Sequence, residues 1–155
     1  MTPAINAAKR AKIDFTIHEY EHDAKHESYG LEAAEKLGVD TNRVFKTLVV
    51  QFDEKLLAVG VIPVNSQLSM KQMAKALGVK KAKMAEPQEV EKSTGYVLGG
   101  VSPLGQKKKL KTVIDTSALE FQTMFVSAGR RGLEIEMKPN DLVSLTNGLF
   151  SDLVI

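Results

Sequence analysis

Residues 92–110 read K-S-T-G-Y-V-L-G-G-V-S-P-L-G-Q-K-K-K-L and carry four of the chain's eleven glycines. At their centre, Gly99-Gly100-Val101-Ser102-Pro103 suits neither a helix interior nor a central strand. A glycine pair removes the Cβ atoms that keep a ligand off the backbone, and it permits positive φ at little steric cost. Its N–H groups can then meet an anion, or the oxyanion that develops at a reacting carbonyl. The competing reading is a glycine bulge or tight bend in a β-rich core, and these letters leave both open. The spacing fits neither a Walker loop nor a dinucleotide fingerprint. Just upstream, Gly95-Tyr96-Val97-Leu98 is apolar enough for a buried strand, which predicts a loop held at a strand end.

A second candidate is Lys46, in the run Val44-Phe45-Lys46-Thr47-Leu48-Val49-Val50. This is the most strand-like segment of the chain, apolar on both faces like a strand covered on both sides. Alternation sets Lys46 on the face of Val44, Leu48 and Val50, so its ammonium either reaches solvent along its stem or enters a pocket. An inward lysine that guards a sheet edge and a cation held in a cleft to meet an anion or ester oxygen fit the pattern equally. Glu134 and Glu136 share one face of a later strand and can serve as an acid and base pair, although such alternation is more often the wet face of a strand. His18, His22 and His26 are all the histidines present, and spacing by four would align them on a helix. His18 falls in a strand pattern and no H-E-x-x-H frame supports a metal, so the three read as surface or loop residues; neither metal nor cofactor is expected. Lys107-Lys108-Lys109 with Lys111 is the densest positive charge. It reads as solvated surface, or as counter-charge for a phosphate in the glycine loop.

Positioning these residues takes both helices and strands. Thr2-Pro3 is a helix start, continued as a short basic helix to Lys12. Phe15 to Tyr20 alternates as a strand, with Phe15 and Ile17 on one face and His18 and Tyr20 on the other. Residues 21–27 read as a polar loop. Ser28 caps a helix over 30–37 that Gly38 ends in the left-handed conformation. The Lys46 strand turns through Asp53-Glu54-Lys55 into a return strand from Leu56 to Val64. Ser69-Met70-Lys71-Gln72 has the capping-box form and opens a helix with Met70, Met73, Ala74 and Leu77 inward, closed by Gly78. The echo of Leu37-Gly38-Val39 by Leu77-Gly78-Val79 marks two helix stops rather than a repeat.

Further on, a short strand near Met84 precedes a helix from Glu86-Pro87 to Gly95. Strands follow near Ile114, over 123–127 and over 133–137, with a helical turn at Ser117 to Leu119 and a turn over Ala128 to Gly132. A last helix opens at Pro139, and Phe150 to Ile155 is an apolar tail expected to dock. Strands and helices mix without βαβ alternation. The class is therefore α/β in the mixed α+β sense: one mixed, partly closed, barrel-like sheet surrounded by helices, in a single domain spanning 1–155.

Composition narrows the function classes. At 155 residues, 43% hydrophobic and 26% charged, the chain suits a soluble domain with a proper core. Met1-Thr2-Pro3 opens a polar, basic helix, and no apolar run could span a bilayer, so a cytoplasmic protein with no membrane partner is expected. Zero cysteines exclude disulfides, thiolate metal sites and a cysteine nucleophile, and they fit a reducing compartment. Lys and Arg number 21 against 19 Asp and Glu, a net +2 that is too balanced to hold nucleic acid by bulk electrostatics; DNA is not an expected partner.

Taken in order, T-P-A-I at the start, F-K-T-L-V-V, K-S-T-G-Y-V-L-G-G-V-S-P-L-G-Q-K-K and V-S-A-G-R-R-G-L-E-I-E resemble the YbaK (EbsC) family of bacterial aminoacyl-tRNA deacylases. These belong to the wider group of prolyl-tRNA-synthetase editing domains, and the likeness runs from Thr2 to about Leu142. It implies a free-standing trans-editing domain on a mixed β-barrel ringed by helices. Its implied substrate is Cys-tRNA(Pro), made when prolyl-tRNA synthetase accepts cysteine. By position, the family's essential lysine is Lys46, flanked by Phe45 and Thr47. Gly99 and Gly100 with Val101 and Ser102 match its glycine loop, and Ser127-Ala128-Gly129 its small-residue turn. Relatives commonly read S-G-G there, so Ala128 is a departure expected to narrow the pocket slightly. Tyr20 and Glu136 match pocket-edge positions.

An aminoacyl ester needs a nucleophile and a stabilised oxyanion, and the chain offers neither a cysteine nor a Ser-His-Asp set. Positioning and electrostatics remain. The resemblance implies that Lys46 anchors the terminal phosphate or ribose, while the Gly99-Gly100 backbone holds the aminoacyl group and polarises its carbonyl. The substrate's own thiol or a water then attacks. The implied partners are the aminoacylated 3′ end of tRNA and prolyl-tRNA synthetase, which would make up for the weak hold of a +2 chain on tRNA. Two other readings stay open. One is a deacylase for another small amino acid such as alanine; the other is a non-catalytic RNA- or synthetase-binding module in which Lys46 only binds phosphate.

Overall fold

The computed structural model describes residues 1–25 and 28–155. Helix α1 (Pro3–Ala11) starts where the Ile5 amide donates to the Thr2 hydroxyl oxygen at 3.2 Å, with Pro3 in its first turn. Helices α2 (Tyr29–Leu37) and α3 (Met70–Leu77) share one plan: Ser28 and Ser69 cap their starts, and Gly38 and Gly78 end them left-handed. Helix α4 (Pro87–Thr94) closes on Gly95, and α5 (Pro139–Leu145) opens on its proline.

The strands are β1 (Phe15–Glu19), β2 (Phe45–Phe52), β3 (Leu56–Pro63), β4 (Lys83–Met84), β5 (Lys111–Asp115), β6 (Met124–Arg130), β7 (Leu133–Met137) and β8 (Leu149–Ser151). They divide into a three-stranded sheet, β1-β7-β6, and a five-stranded sheet, β4-β2-β3-β5-β8. The first is antiparallel throughout; the second has parallel pairs at β3–β5 and β5–β8. A parallel bridge between Val44 and Phe125 joins the two sheets. The mixed α/β class holds, and the sheets meet along this seam without closing into a barrel.

Strand β2 is buried on both faces, as its sequence predicts. Phe45 and Val49 enter the main core with Val61, Ile135 and Leu142. On the other face Val44 packs with Ala33 and Ala34 of α2, and Val50 with Met73 and Leu77 of α3. Lys46 lies between those two helix contacts. Truncating a core side chain such as Ile135 to alanine would cost roughly 2–5 kcal/mol, so this frame is rigidly held.

Two local expectations fail. Gly95-Tyr96-Val97-Leu98 forms no strand: Gly95 turns left-handed at the end of α4, Val97 and Leu98 stand 63% and 48% exposed, and only Tyr96 is buried. The Tyr96 hydroxyl donates to the Leu104 carbonyl at 2.6 Å, which braces the stretch as a closed loop. Ala128, Gly129 and Arg130 are not a turn but the end of β6, reached through a bulge where the register shifts between Ser127 and Arg130. The turn is confined to Arg131-Gly132. The tail docks as expected, with β8 beside β5 and Leu153 buried. Among the described residues no helix is long and apolar enough to cross a membrane.

Candidate active site

Where the two sheets meet, a cleft of about 400 Å³ opens. Strand β2 supplies one wall with Phe45, Lys46, Thr47 and Leu48. The three-stranded sheet supplies the other: Tyr20 just after β1, Ser127 and Arg130 of β6, Arg131 of the turn, and Glu134 of β7. The start of α2, with Ser28, Tyr29 and Gly30, and the loop residues Leu98, Gly99 and Val101 complete it. Lys46 and Glu134 thus reach one cavity from different sheets.

Desolvation dominates the electrostatics. Burial lowers the Lys46 pKa, so its ammonium is less well solvated than a surface lysine's. Glu134 is buried and has no hydrogen-bond or ion-pair partner among the described residues; burial pushes its carboxyl up to about 8, which leaves it mostly neutral at pH 7. The Tyr20 hydroxyl is raised by burial first and by Glu134 second. The Arg131 guanidinium lies over the Tyr29 ring, 3.6 Å from its centroid. Thr47 Oγ1 and Arg131 Nε are buried without a hydrogen-bond partner within the described protein, and both residues line the cleft. Folded proteins seldom leave such atoms unsatisfied, so they are available to a bound polar group.

Of the sequence candidates, Tyr20, Phe45, Lys46, Thr47, Gly99, Val101 and Ser127 line the cleft. Gly100, Ser102, Ala128, Gly129 and Glu136 do not. The Gly100 amide donates to the Val97 carbonyl at 3.0 Å and is not free to meet an oxyanion. A Cβ there would stand 2.8 Å from Arg130 Cα, so this glycine lets the loop lie on β6. Gly99, at φ +91°, plays the same part toward Tyr29, whose ring carbon Cε2 a Cβ would meet at 2.8 Å.

Ser102 is buried, and its hydroxyl oxygen accepts from the Leu104 amide at 3.2 Å. The Ala128 side chain points into the main core while its carbonyl accepts from the Thr2 hydroxyl at 2.5 Å, so it does not narrow the cleft. Gly129 packs against Thr2 and Tyr96. Glu136 lies outside the cleft: it accepts from the Thr123 hydroxyl at 2.5 Å, stands 2.8 Å from His18 Nε2 and accepts from Arg43 at 3.4 Å. Thr123 leads the contacts that lower its pKa.

The histidines also separate. His18 meets Glu136, and His22 Nδ1 stands 2.6 Å from the buried Glu32 carboxyl; His26 lies outside the described residues. Among the described residues no group of three His, Cys, Asp or Glu side chains could hold a metal. The lysine run 107–109 is exposed and away from the cleft, whose cations are Lys46, Arg130 and Arg131.

Sequence reasoning missed Ser28, Tyr29, Gly30, Leu48, Leu98, Arg130 and Arg131, and it set Glu134 on a wet face. One signal for Glu134 was present. The R-R-G turn makes β6 and β7 a hairpin, and the strand pattern of residues 15–20 supplies a third strand that can place β7 in the middle. A central strand's polar face is the one most easily covered.

The family model for the aminoacyl-tRNA editing domain matches residues 27–145. EbsC of Enterococcus faecalis, named provisionally as a Cys-tRNA(Pro)/Cys-tRNA(Cys) deacylase, is 38% identical over 152 residues, covering 98% of this chain and 92% of its own. The proline–tRNA ligase of Shouchella clausii is 37% identical over 76 residues, which are 49% of this chain and 13% of the ligase. A solved structure described provisionally as a trans-editing enzyme for prolyl tRNA synthetase superposes with a TM-score of 0.87 at 21% identity, covering 99% of this chain and 95% of its own; it shares the fold.

Proposed function

The chain belongs to the family of aminoacyl-tRNA editing domains, and on that premise we propose that residues 1–155 act as one free-standing domain that hydrolyses the ester of cysteine on tRNA(Pro). The observation that carries this reading is the convergence of Lys46 and Glu134 on one cleft of about 400 Å³. That volume suits a small aminoacyl group with its terminal nucleoside, while the body of a tRNA stays outside.

Lys46 presents a poorly solvated ammonium to the ester end of the substrate, where it offsets the negative charge that builds on the carbonyl oxygen. The nucleophile is the substrate's own thiol or a water. It adds to the carbonyl carbon, the bond from that carbon to the ribose oxygen breaks, and the ribose oxygen takes up a proton. Thiol attack gives a cyclic thioester that water opens to free cysteine; water attack gives cysteine directly. Since the Gly100 amide is engaged by Val97, the oxyanion falls to Lys46 rather than to that N–H. Among the described residues Glu134 is the one carboxyl lining the cleft, and it receives the substrate's α-amino group. The incoming ammonium favours the ionised carboxyl, which burial alone disfavours. Similarity of half the chain to a segment of a proline–tRNA ligase supports action beside prolyl-tRNA synthetase.

The test is release of labelled cysteine from Cys-tRNA(Pro), wild type beside Lys46→Ala, with Ala-tRNA(Pro) and Ser-tRNA(Pro) as controls. Fast cysteine release, slowed about 10²–10³-fold by the substitution, is expected for loss of an oxyanion-stabilising group. Release no faster than the spontaneous rate would sink the proposal and leave a binding module. Preference for alanine would reassign the acyl group.

A further inference from the structure

Two charged groups in the cleft, Arg130 and Arg131, have no part in that chemistry. The Arg131 guanidinium rests on the Tyr29 ring, forms no ion pair, and keeps its buried Nε without a hydrogen-bond partner among the described residues. Other arginines differ: Arg43, outside the cleft, is held by Glu136 at 3.4 Å, and Arg130 stands 3.8 Å from Glu19. The Tyr29 ring is itself held, by the helix start it belongs to and by Gly99, which has no Cβ to push it away. Arg131 is therefore a fixed cation on the cleft wall, and among the described residues no side chain pairs with it.

We propose that Arg131, laid on Tyr29, binds the phosphodiester that joins the terminal nucleoside of the acceptor end to the rest of the RNA, and so sets how far the ester reaches toward Lys46. The identity of the ligand rests on the deacylase reading above. A guanidinium stacked on an aromatic face keeps its N–H edge free, and that edge matches two phosphate oxygens. A partly desolvated cation without a counter-charge is costly until an anion arrives. Glu134 does not supply that counter-charge while burial keeps it protonated. Arg130 lines the same cleft and adds to the attraction.

Equilibrium titration with adenosine 5′-monophosphate, adenosine and inorganic phosphate tests this without any deacylation, so the two readings fail separately. Wild type is expected to bind the monophosphate more tightly than adenosine. Arg131→Gln should weaken the monophosphate roughly tenfold or more and leave adenosine unchanged, as expected for loss of a charged hydrogen bond. Arg131→Lys should recover only part of the loss, since lysine brings charge without the planar fork. On Cys-tRNA(Pro), Arg131→Gln should raise KM and lower kcat together, because an unanchored phosphate also lets the ester drift from Lys46. Equal losses for monophosphate and adenosine, or none, would overturn the proposal, as would inorganic phosphate binding as tightly as the monophosphate. If Arg131→Gln fails to fold, Tyr29→Leu, at an exposed side chain, decides the matter: its loss must be larger for the monophosphate than for adenosine.

Discussion

Glu134 and Glu136 leave the same face of β7, two residues apart, and the two ends of that strand treat them oppositely. Glu134 pairs in register with Ser127 and opens into the cleft, where it meets no donor among the described residues and burial pushes its carboxyl up to about 8. Glu136 pairs with Phe125 and meets Thr123, His18 and Arg43, which hold its carboxyl below the ordinary value. The residue type is the same and so is the strand. What differs is the cover: β2 and the start of α2 close over one end, while polar side chains gather at the other. A carboxyl with three donors ties elements together, whereas one kept dry and unpaired is poised for a ligand and weakens the free protein.

The contrast is sharpened most by Glu134→Gln. The wild-type carboxyl binds its proton more tightly folded than unfolded, so its stability contribution is full below about 4.5 and is lost as pH rises toward about 8, by at most about 5 kcal/mol. Urea unfolding at pH 5 and pH 8.5 should therefore diverge for wild type and nearly coincide for the variant; equal divergence would break the comparison. The same variant should lower kcat/KM for Cys-tRNA(Pro) about tenfold, the loss of one charged contact to the α-amino group.

Glu136→Gln should do the reverse, costing about 1–2 kcal/mol at pH 7 in the same unfolding measurement while deacylation stays within about twofold. Its folded pKa is depressed, so the stability it contributes is present above the unfolded carboxyl value and fades as pH falls through the folded one. Wild type should thus lose more on acidification than the variant, and a tenfold activity loss would instead place Glu136 in the site. The smallest effect is expected from Ala128→Gly, which restores the small-residue pattern at a core-facing position. Stability should fall by about 0.5–1 kcal/mol, measured as a shift in the unfolding midpoint, with no change in the preference for cysteine over alanine esters.

Much of the fold was legible because the rules involved are local. The serine and threonine caps at Thr2, Ser28 and Ser69, the stops at Gly38 and Gly78, and the hairpin at Asp53-Glu54 each depend on a few neighbouring residues. The failures came where a segment needed a distant partner. Tyr96-Val97-Leu98 has strand-like letters, but no strand pairs with it, and a tyrosine hydroxyl to the Leu104 carbonyl shapes it instead. Gly99 and Gly100 were readable as positions where something comes close; that the neighbours are Tyr29 and the backbone of Arg130 was not.

The candidate site divides along the same line. Alternation along β2 determined by itself that Lys46 shares the face of Val44 and Val50, because the side-chain period of a strand is a property of its own backbone. It also put Glu134 and Glu136 on one face. Only the tertiary structure decided that α2 and α3 cover β2 on either side of Lys46, that the seam at Val44 and Phe125 brings a second sheet opposite it, and that Arg131 settles on Tyr29. Burial and partnership are properties of what packs over a residue, and the covering elements come from parts of the chain that a local pattern does not reach.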